Sequence, residues 1–243
     1  MYSLYSKEVK SFLNSLIGYV VMIVFIVLLG LFMWVFPGES NLLDAGYANM
    51  DTLFAMAPWV FMFLIPAITM RAFADEKKLG TLELLVTKPL SELTIVLAKF
   101  WAGVTLVIIA LLPTLVYYYS VHHLGFPQGN LDGGATWGSY LGLVLLSVGF
   151  VAIGIFASAI TDNQIIAFLT ALLLCFVTYT GLDYVAELLV DAHLDGLFYA
   201  LSINQHYLSL SRGVIDTRDI IYFASLAAVF ILLARLVLEA RKW

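Results

Sequence analysis

Met70–Glu92 reads MRAFADEKKLGTLELLVTKPLSE, a run of charge set between two long apolar stretches. Five of the chain's twelve Lys and Arg residues fall within or just after it: Arg71, Lys77, Lys78, Lys88 and Lys99. Basic residues concentrated between apolar segments belong on the cytoplasmic face of a membrane. The same stretch carries a short helix signal. Gly80 interrupts the preceding helix, Thr81 is a good N-cap, and Glu83 falls in the first turn, where the helix dipole favours an anion. Pro89 restricts Lys88 and ends the element. The spacing predicts a helix of about two turns over Thr81–Lys88, too short to be stable alone in water. Leu82, Leu85 and Val86 form its apolar side and Leu84 points elsewhere. Such an exposed apolar face suits a groove on a partner, or the membrane surface.

Outward from this stretch the chain is mostly apolar. Of its 243 residues 62% are hydrophobic and 12% charged, and its mean hydropathy is +0.97. Soluble domains carry roughly 25% charged residues, so this composition implies a membrane protein. Six runs approach the roughly 20 residues a helix needs to cross a bilayer: Leu16–Phe36, Ala55–Phe73, Thr94–Ser120, Thr136–Ile160, Gln164–Leu182 and Ile220–Leu238. The first exceeds a signal-peptide core and no small-x-small cleavage site follows it, so it reads as a permanent span. With the N-terminus inside, ten Lys and Arg residues are cytoplasmic and only Arg212 and Arg218 are outside. This bias sets six spans with both termini cytoplasmic. Trp34, Trp59 and Trp137 fall near outer ends, as interfacial aromatics do. The expected fold is an all-α helical bundle forming one domain over 1–243. Closed barrels need a period-two alternation that is missing here.

Two further segments have character. Leu4, Tyr5, Val9, Phe12, Leu13 and Leu16 recur at helical spacing opposite Ser3, Ser6, Lys7, Lys10 and Asn14. Residues 1–15 therefore read as an amphipathic helix lying in the inner membrane surface, with Lys7, Lys10 and Phe12 as its contact residues. The plainer alternative is an extension of the first span. Between spans five and six, residues 183–219 show apolar spacings of three and four at Val185, Leu188, Leu189, Leu194, Leu197, Phe198 and Leu201. They predict short amphipathic helices on the outer leaflet, or a small folded outer cap.

The chain excludes several functions. No Asp, Glu, Lys, Arg or His lies near the middle of a predicted span; Lys99 and Arg235 sit near cytoplasmic ends, where they can snorkel. Ion-coupled carriers keep such groups or broken helices at mid-depth, and a selective channel needs a charged ring or filter. No Gly-Lys pair occurs, so no phosphate-binding loop is present. No basic stripe interleaved with aromatics invites nucleic acid. Asp183, Glu187, Asp191 and His193 make an acidic outer surface without metal-ligand spacing. His122 and His123 read as interfacial polar residues. The lone Cys175 reads as packing. Gly138 and Gly142 permit a close helix approach, within the chain or from another. Pro66 and Pro113 each remove a backbone hydrogen bond inside a span. Arg71 and Asp75 are spaced to pair along a helix that continues span two, as are Asp75 and Lys78.

Met70-Arg71, Glu76, Gly80-Thr81-Leu82-Glu83-Leu84-Leu85 and Thr87-Lys88-Pro89-Leu90 resemble the segment after span two in ABC-2 type permeases, the membrane subunits of a class of ABC transporters. The resemblance extends over the six spans and the entry helix. Lys7-Glu8-Val9-Lys10-Ser11-Phe12, Gly18-Tyr19 and Ser211-Arg212-Gly213-Val214-Ile215-Asp216 are most similar to the GldF-type permeases of gliding motility in Bacteroidetes. The resemblance implies an inner-membrane subunit without enzyme activity. Its coupling helix, Thr81, Leu82, Glu83, Leu84, Leu85, Val86 and Lys88, would contact a separate ATPase, supported within residues 74–93 and nearby by Arg71, Asp75, Glu76, Gly80 and Pro89. ATP and Mg would lie on that ATPase and no cofactor on this chain. A homodimer, or a pair with a second membrane subunit of the GldG type, would complete the pathway. The alternative is a force-transmitting scaffold of a motility complex that translocates nothing. A membrane-embedded enzyme is disfavoured by the missing catalytic clusters.

Overall fold

The computed structural model of the chain describes residues 1–82, 91–190 and 195–240. Most of the expected two-turn helix (Glu83–Lys88), together with Pro89, Asp191 and His193, lies outside the described residues. Among them all regular structure is helical. Six helices are long and apolar enough to cross a membrane: Leu16–Trp34, Asp51–Lys78, Glu92–Leu124, Gly133–Ile160, Gln164–Leu188 and Thr217–Glu239. The protein is an all-α membrane protein with six candidate spans.

Helix starts follow from capping side chains. Ser15, Ser91, Asp132, Asn163 and Asp216 accept hydrogen bonds from Gly18, Thr94, Ala135, Ile165 and Arg218 amides, opening spans one, three, four, five and six. Each cap satisfies a donor that the helix leaves free. Ser15 also separates the entry helix, Tyr2–Leu13, from span one. Its backbone is extended (φ −93°, ψ 141°) and its hydroxyl donates to the Phe12 carbonyl at 2.7 Å. The entry helix is thus a separate element rather than a straight extension. It packs along span three, where the Tyr5 and Thr105 hydroxyls meet at 2.9 Å.

Span four is the axis of the bundle. In its most apolar window 72% of residues are buried, against 22% in spans one and six. Its small residues explain this, because they let neighbouring helices approach closely. A Cβ on Gly149 would stand 3.0 Å from Leu226 of span six. A Cβ on Gly138 would stand 2.6 Å from the Gly213 carbonyl oxygen, and one on Gly142 2.7 Å from Leu210 Cβ. The Gly138/Gly142 pair therefore seats the chain's own outer segment. The two expectations for that segment resolve toward a cap. Helices Asp195–Leu201 and Ile203–Leu210 follow span five, and Ile203, Tyr207 and Leu210 are buried. Tyr207 Oη donates to the Phe54 carbonyl at 2.7 Å. Burial, then the nearby Tyr179, pushes this phenol well above its ordinary range, which keeps it a neutral donor.

The helix irregularities are also satisfied. At Pro113 the α-helix gives way to a 3₁₀ turn, Leu112–Thr114, and Thr114 Oγ1 donates to the Leu111 carbonyl at 2.7 Å. Pro66 sits inside the continuous helix Asp51–Thr69. Span five widens to a π turn at Val177–Gly181, where Ser202 of the cap donates to the Tyr179 carbonyl at 3.2 Å.

Substituting Gly138 by Ala forces a methyl against the Gly213 backbone, which cannot rotate away. Overpacking of this kind costs about 1–3 kcal/mol. The expected result is a lower unfolding midpoint in detergent and faster proteolysis of the outer segment, with Gly196→Ala, where a Cβ meets nothing within 4 Å, as the unaffected control.

Candidate functional site

The cytoplasmic continuation of span two is the structural centre of the inner face. After a one-residue interruption at Met70, helix Arg71–Lys78 carries the span onward. Gly80 then adopts a left-handed φ of +67°. The Thr81 amide turns back to the Glu76 carbonyl at 3.0 Å, closing the helix in the manner of a glycine C-cap. Within the described residues Thr81 thus serves the end of the preceding helix; the amides it was expected to cap belong to the undescribed stretch.

The interruption is clamped by span four. The Ser158 hydroxyl donates to the Met70 carbonyl at 3.0 Å and accepts from the Phe73 and Ala74 amides at 2.9 and 3.1 Å. One buried side chain therefore replaces the backbone bonds lost at the break. Lys77 donates to the Ala159 carbonyl, and Gln164 at the start of span five donates to Asp75. The expected Arg71–Asp75 and Asp75–Lys78 pairs do not form. Asp75 faces span five, whose amide donor satisfies it without the entropy cost of holding a long exposed cation.

Glu76 faces the other way, into an ion cluster. Lys99 of span three places its Nζ 2.9 Å from Glu8 Oε1 and 3.0 Å from Glu76 Oε1. Lys7 reaches the same two carboxylates at 3.6 and 3.4 Å. The Lys99 side chain is 1% exposed and the Lys7 side chain 60%. Lys99 also lies over the Phe73 ring, 5.1 Å from its centroid, a cation–π geometry. Snorkelling is therefore not what Lys99 does. It turns inward, because two carboxylates from separate elements offer it charge-assisted bonds that water would otherwise supply. Glu8 and Lys7 come from the entry helix, Glu76 from the extension, and Lys99 from span three.

The sequence-expected residues are thus partly assembled. Lys7, Phe12, Arg71, Asp75, Glu76 and Thr81 stand around one space, Phe12 also packing against the core, whereas Lys10 is exposed. Leu82 is buried within the chain's own core at 7% exposure. Glu83, Leu84, Leu85, Val86, Lys88 and Pro89 lie outside the described residues. The role of Glu8 and the inward turn of Lys99 escape sequence reasoning. The one available signal is that Glu8 sits beside Lys7 on a helix that must cover the inner end of a span containing a lysine.

On the outer side a second constellation joins the cap to span six. His206 Nδ1 donates to Asp219 Oδ1 at 2.7 Å and Ser209 Oγ donates to Asp219 Oδ2 at 2.5 Å. Tyr222 stacks on the imidazole with centroids 3.8 Å apart. Nucleophilic catalysis needs the hydroxyl on the base; here serine and histidine both donate hydrogen bonds to the carboxylate, so the arrangement is a latch. Asp183 is likewise engaged, accepting from Asn204 at 2.8 Å. Among the described residues no group of three or more His, Cys, Asp or Glu side chains could hold a metal ion.

Removing Lys99 leaves Glu8 and Glu76 facing each other with only the exposed Lys7 as counter-charge. Breaking such a buried pair costs about 3–5 kcal/mol, whereas replacing the whole set by neutral groups costs far less. Lys99→Met should therefore lower the unfolding midpoint sharply, and the triple variant Lys99→Met, Glu8→Gln, Glu76→Gln should recover most of it. Equal losses in the two variants would contradict a balanced charge cluster.

The family model described as "ABC-2 family transporter protein" matches residues 2–239. A search of curated proteins finds no match.

Proposed function

The chain belongs to the ABC-2 family of transporter proteins, and from that premise we propose that it couples ATP hydrolysis by a separate ABC ATPase to movement of its own spans. As a multi-pass permease subunit of that family it works with an ATPase rather than as one. In our reading ATP and Mg are held by the ATPase and this chain binds neither. Residues 1–243 act as one transmembrane domain of the bacterial inner membrane. The segment Thr81–Lys88 is the coupling helix, with Leu85 and Val86 as its contact face. The entry helix, through Lys10 and the exposed side of Lys7, adds a second contact.

The observation that supports this reading is the convergence on Arg71–Lys78. One rigid helix leads out of span two and is bonded to span four through Ser158, to span five through Asp75, and to span three and the entry helix through Glu76. It ends at Lys78, and after the turn at Leu79 and Gly80 the amide of Thr81, the first residue of the proposed contact segment, is bonded back to its Glu76 carbonyl. A push on that segment crosses the Gly80 turn and then reaches four other elements through direct side-chain bonds, the kind of contiguous network that can transmit a partner's motion.

The likeness of Lys7–Phe12, Arg71–Pro89 and Ser211–Asp216 to GldF-type permeases supports a role in gliding motility. The low burial of spans one, five and six, 22%, 28% and 22%, leaves broad faces for a second membrane subunit, either another copy or a GldG-type chain, and for lipid.

Coexpression with the ATPase tests the contact. Leu85→Asp should reduce copurification of the ATPase at least ~10-fold, the equivalent of about 1.4 kcal/mol or more. Undiminished copurification of that variant would remove Thr81–Lys88 as the docking element. Leu82→Asp does not serve, because that side chain is packed inside the chain and its loss would report folding.

A further inference from the structure

Between the entry helix and the inner ends of spans two, three and four lies a cavity of about 310 Å³. Three cations, Lys7, Arg71 and Lys99, and three carboxylates, Glu8, Asp75 and Glu76, line it. The ion cluster and the Gln164 bond do not exhaust their hydrogen-bonding capacity. Arg71 Nε is buried without an acceptor, and Glu76 Oε2 is buried without a donor, on a side chain that is 10% exposed. An unpaired donor of a cation and an unpaired acceptor of an anion in one space are each costly unless a ligand answers both.

The rest of the lining says what kind of ligand. Ile68, Leu106 and Ile155 also face the cavity. Ile68 lies about one turn deeper in the bilayer direction than Arg71, and Leu106 about two turns, roughly 10 Å, deeper than Lys99. Ile155 likewise lies on the membrane side of the cytoplasmic end of span four. The cavity is therefore charged at its cytoplasmic end and apolar at its membrane end, at the depth where headgroups meet acyl chains. A free phosphate or a soluble zwitterion would leave that apolar end uncovered.

We propose that this cavity binds an aminophospholipid of the inner leaflet, with the phosphate accepting from Arg71 and the primary ammonium donating to Glu76 Oε2. The balanced lining charge suits a headgroup that is itself neutral. A quaternary ammonium has no N–H to give Glu76, and a glycerol headgroup adds a net negative charge to a lining whose charges already balance. This site goes beyond ATPase docking: it makes the inner-leaflet lipid a structural ligand of the element that carries the motion.

The full chain, purified in detergent and stripped of lipid, is offered equimolar phosphatidylethanolamine, phosphatidylcholine and phosphatidylglycerol with identical acyl chains, and retained lipid is counted by native mass spectrometry. One phosphatidylethanolamine should be retained with about tenfold preference, the yield of one charge-assisted hydrogen bond. Arg71→Gln, which breaks no ion pair among the described residues, removes the donor to the phosphate that all three lipids share, so it should lower retention of each about tenfold while the unfolding midpoint without lipid stays put. Equal retention of the three lipids by the native chain, or undiminished phosphatidylethanolamine retention in Arg71→Gln, overturns the site. Displacement by equimolar glycerophosphoethanolamine overturns the lipid as occupant; failure to displace supports it.

Discussion

An ammonium group buried in an apolar bundle must be answered by charge, and the way Lys99 is answered organises the inner face. Its two carboxylates come from elements that the chain order keeps far apart: Glu8 before the first span and Glu76 after the second. Moving an ion from water into a low-dielectric interior costs several kcal/mol even after relaxation. The fold can hold Lys99 inside only while the entry helix, the extension of span two and the start of span three are all in place. This interdependence makes three elements one mechanical unit, and Ser158 fastens that unit to span four.

Span four gives the unit something to be fastened to. Its glycines and serines let spans two and six and the outer segment lie against it with little side chain between. Its 72% burial compares with 22% for the outermost spans, so the molecule has a packed axis and loosely covered flanks. The inner face is tied to the axis by polar bonds, as at Ser158, and the outer face by close backbone approach, as at Gly138. Rigidity at both ends suits a subunit that moves as a body rather than one that bends in its middle.

Much of this was legible in the sequence. Hydropathy places six spans, because the signal is local and repeated. The extension to Lys78 and its end at Gly80 were readable for the same reason: helix charge patterns and a glycine stop act within one turn. The Arg71–Asp75 pair was readable too, and does not form, since Gln164, 89 residues away from Asp75, competes for the same carboxylate. The Lys99 cluster could not be read, because nothing in a sequence says which way a lysine near a span end will turn until the helices beside it are known. The glycine pair announced close packing without naming its partner, which turned out to be Leu210 and Gly213. His206 and Asp219 belong to different elements, and only the fold of the cap brings them to 2.7 Å.

The seating of the cap on span four bears on how the chain is made. Tyr207 bonds to Phe54 across 153 residues, and Gly213 rests on Gly138 across an intervening span. During synthesis spans two and four leave the translocation machinery well before the cap exists. Their outer ends must stand open, with the Phe54 carbonyl and the glycine groove unfilled, until span five has crossed and the following segment has emerged outside. Span six then enters last, and Asp219 at its start takes His206 and Ser209. The outer face is closed by the final segments to arrive, so a nascent chain interrupted after span five and before the cap would leave the Phe54 carbonyl and the Gly138/Gly142 groove unfilled.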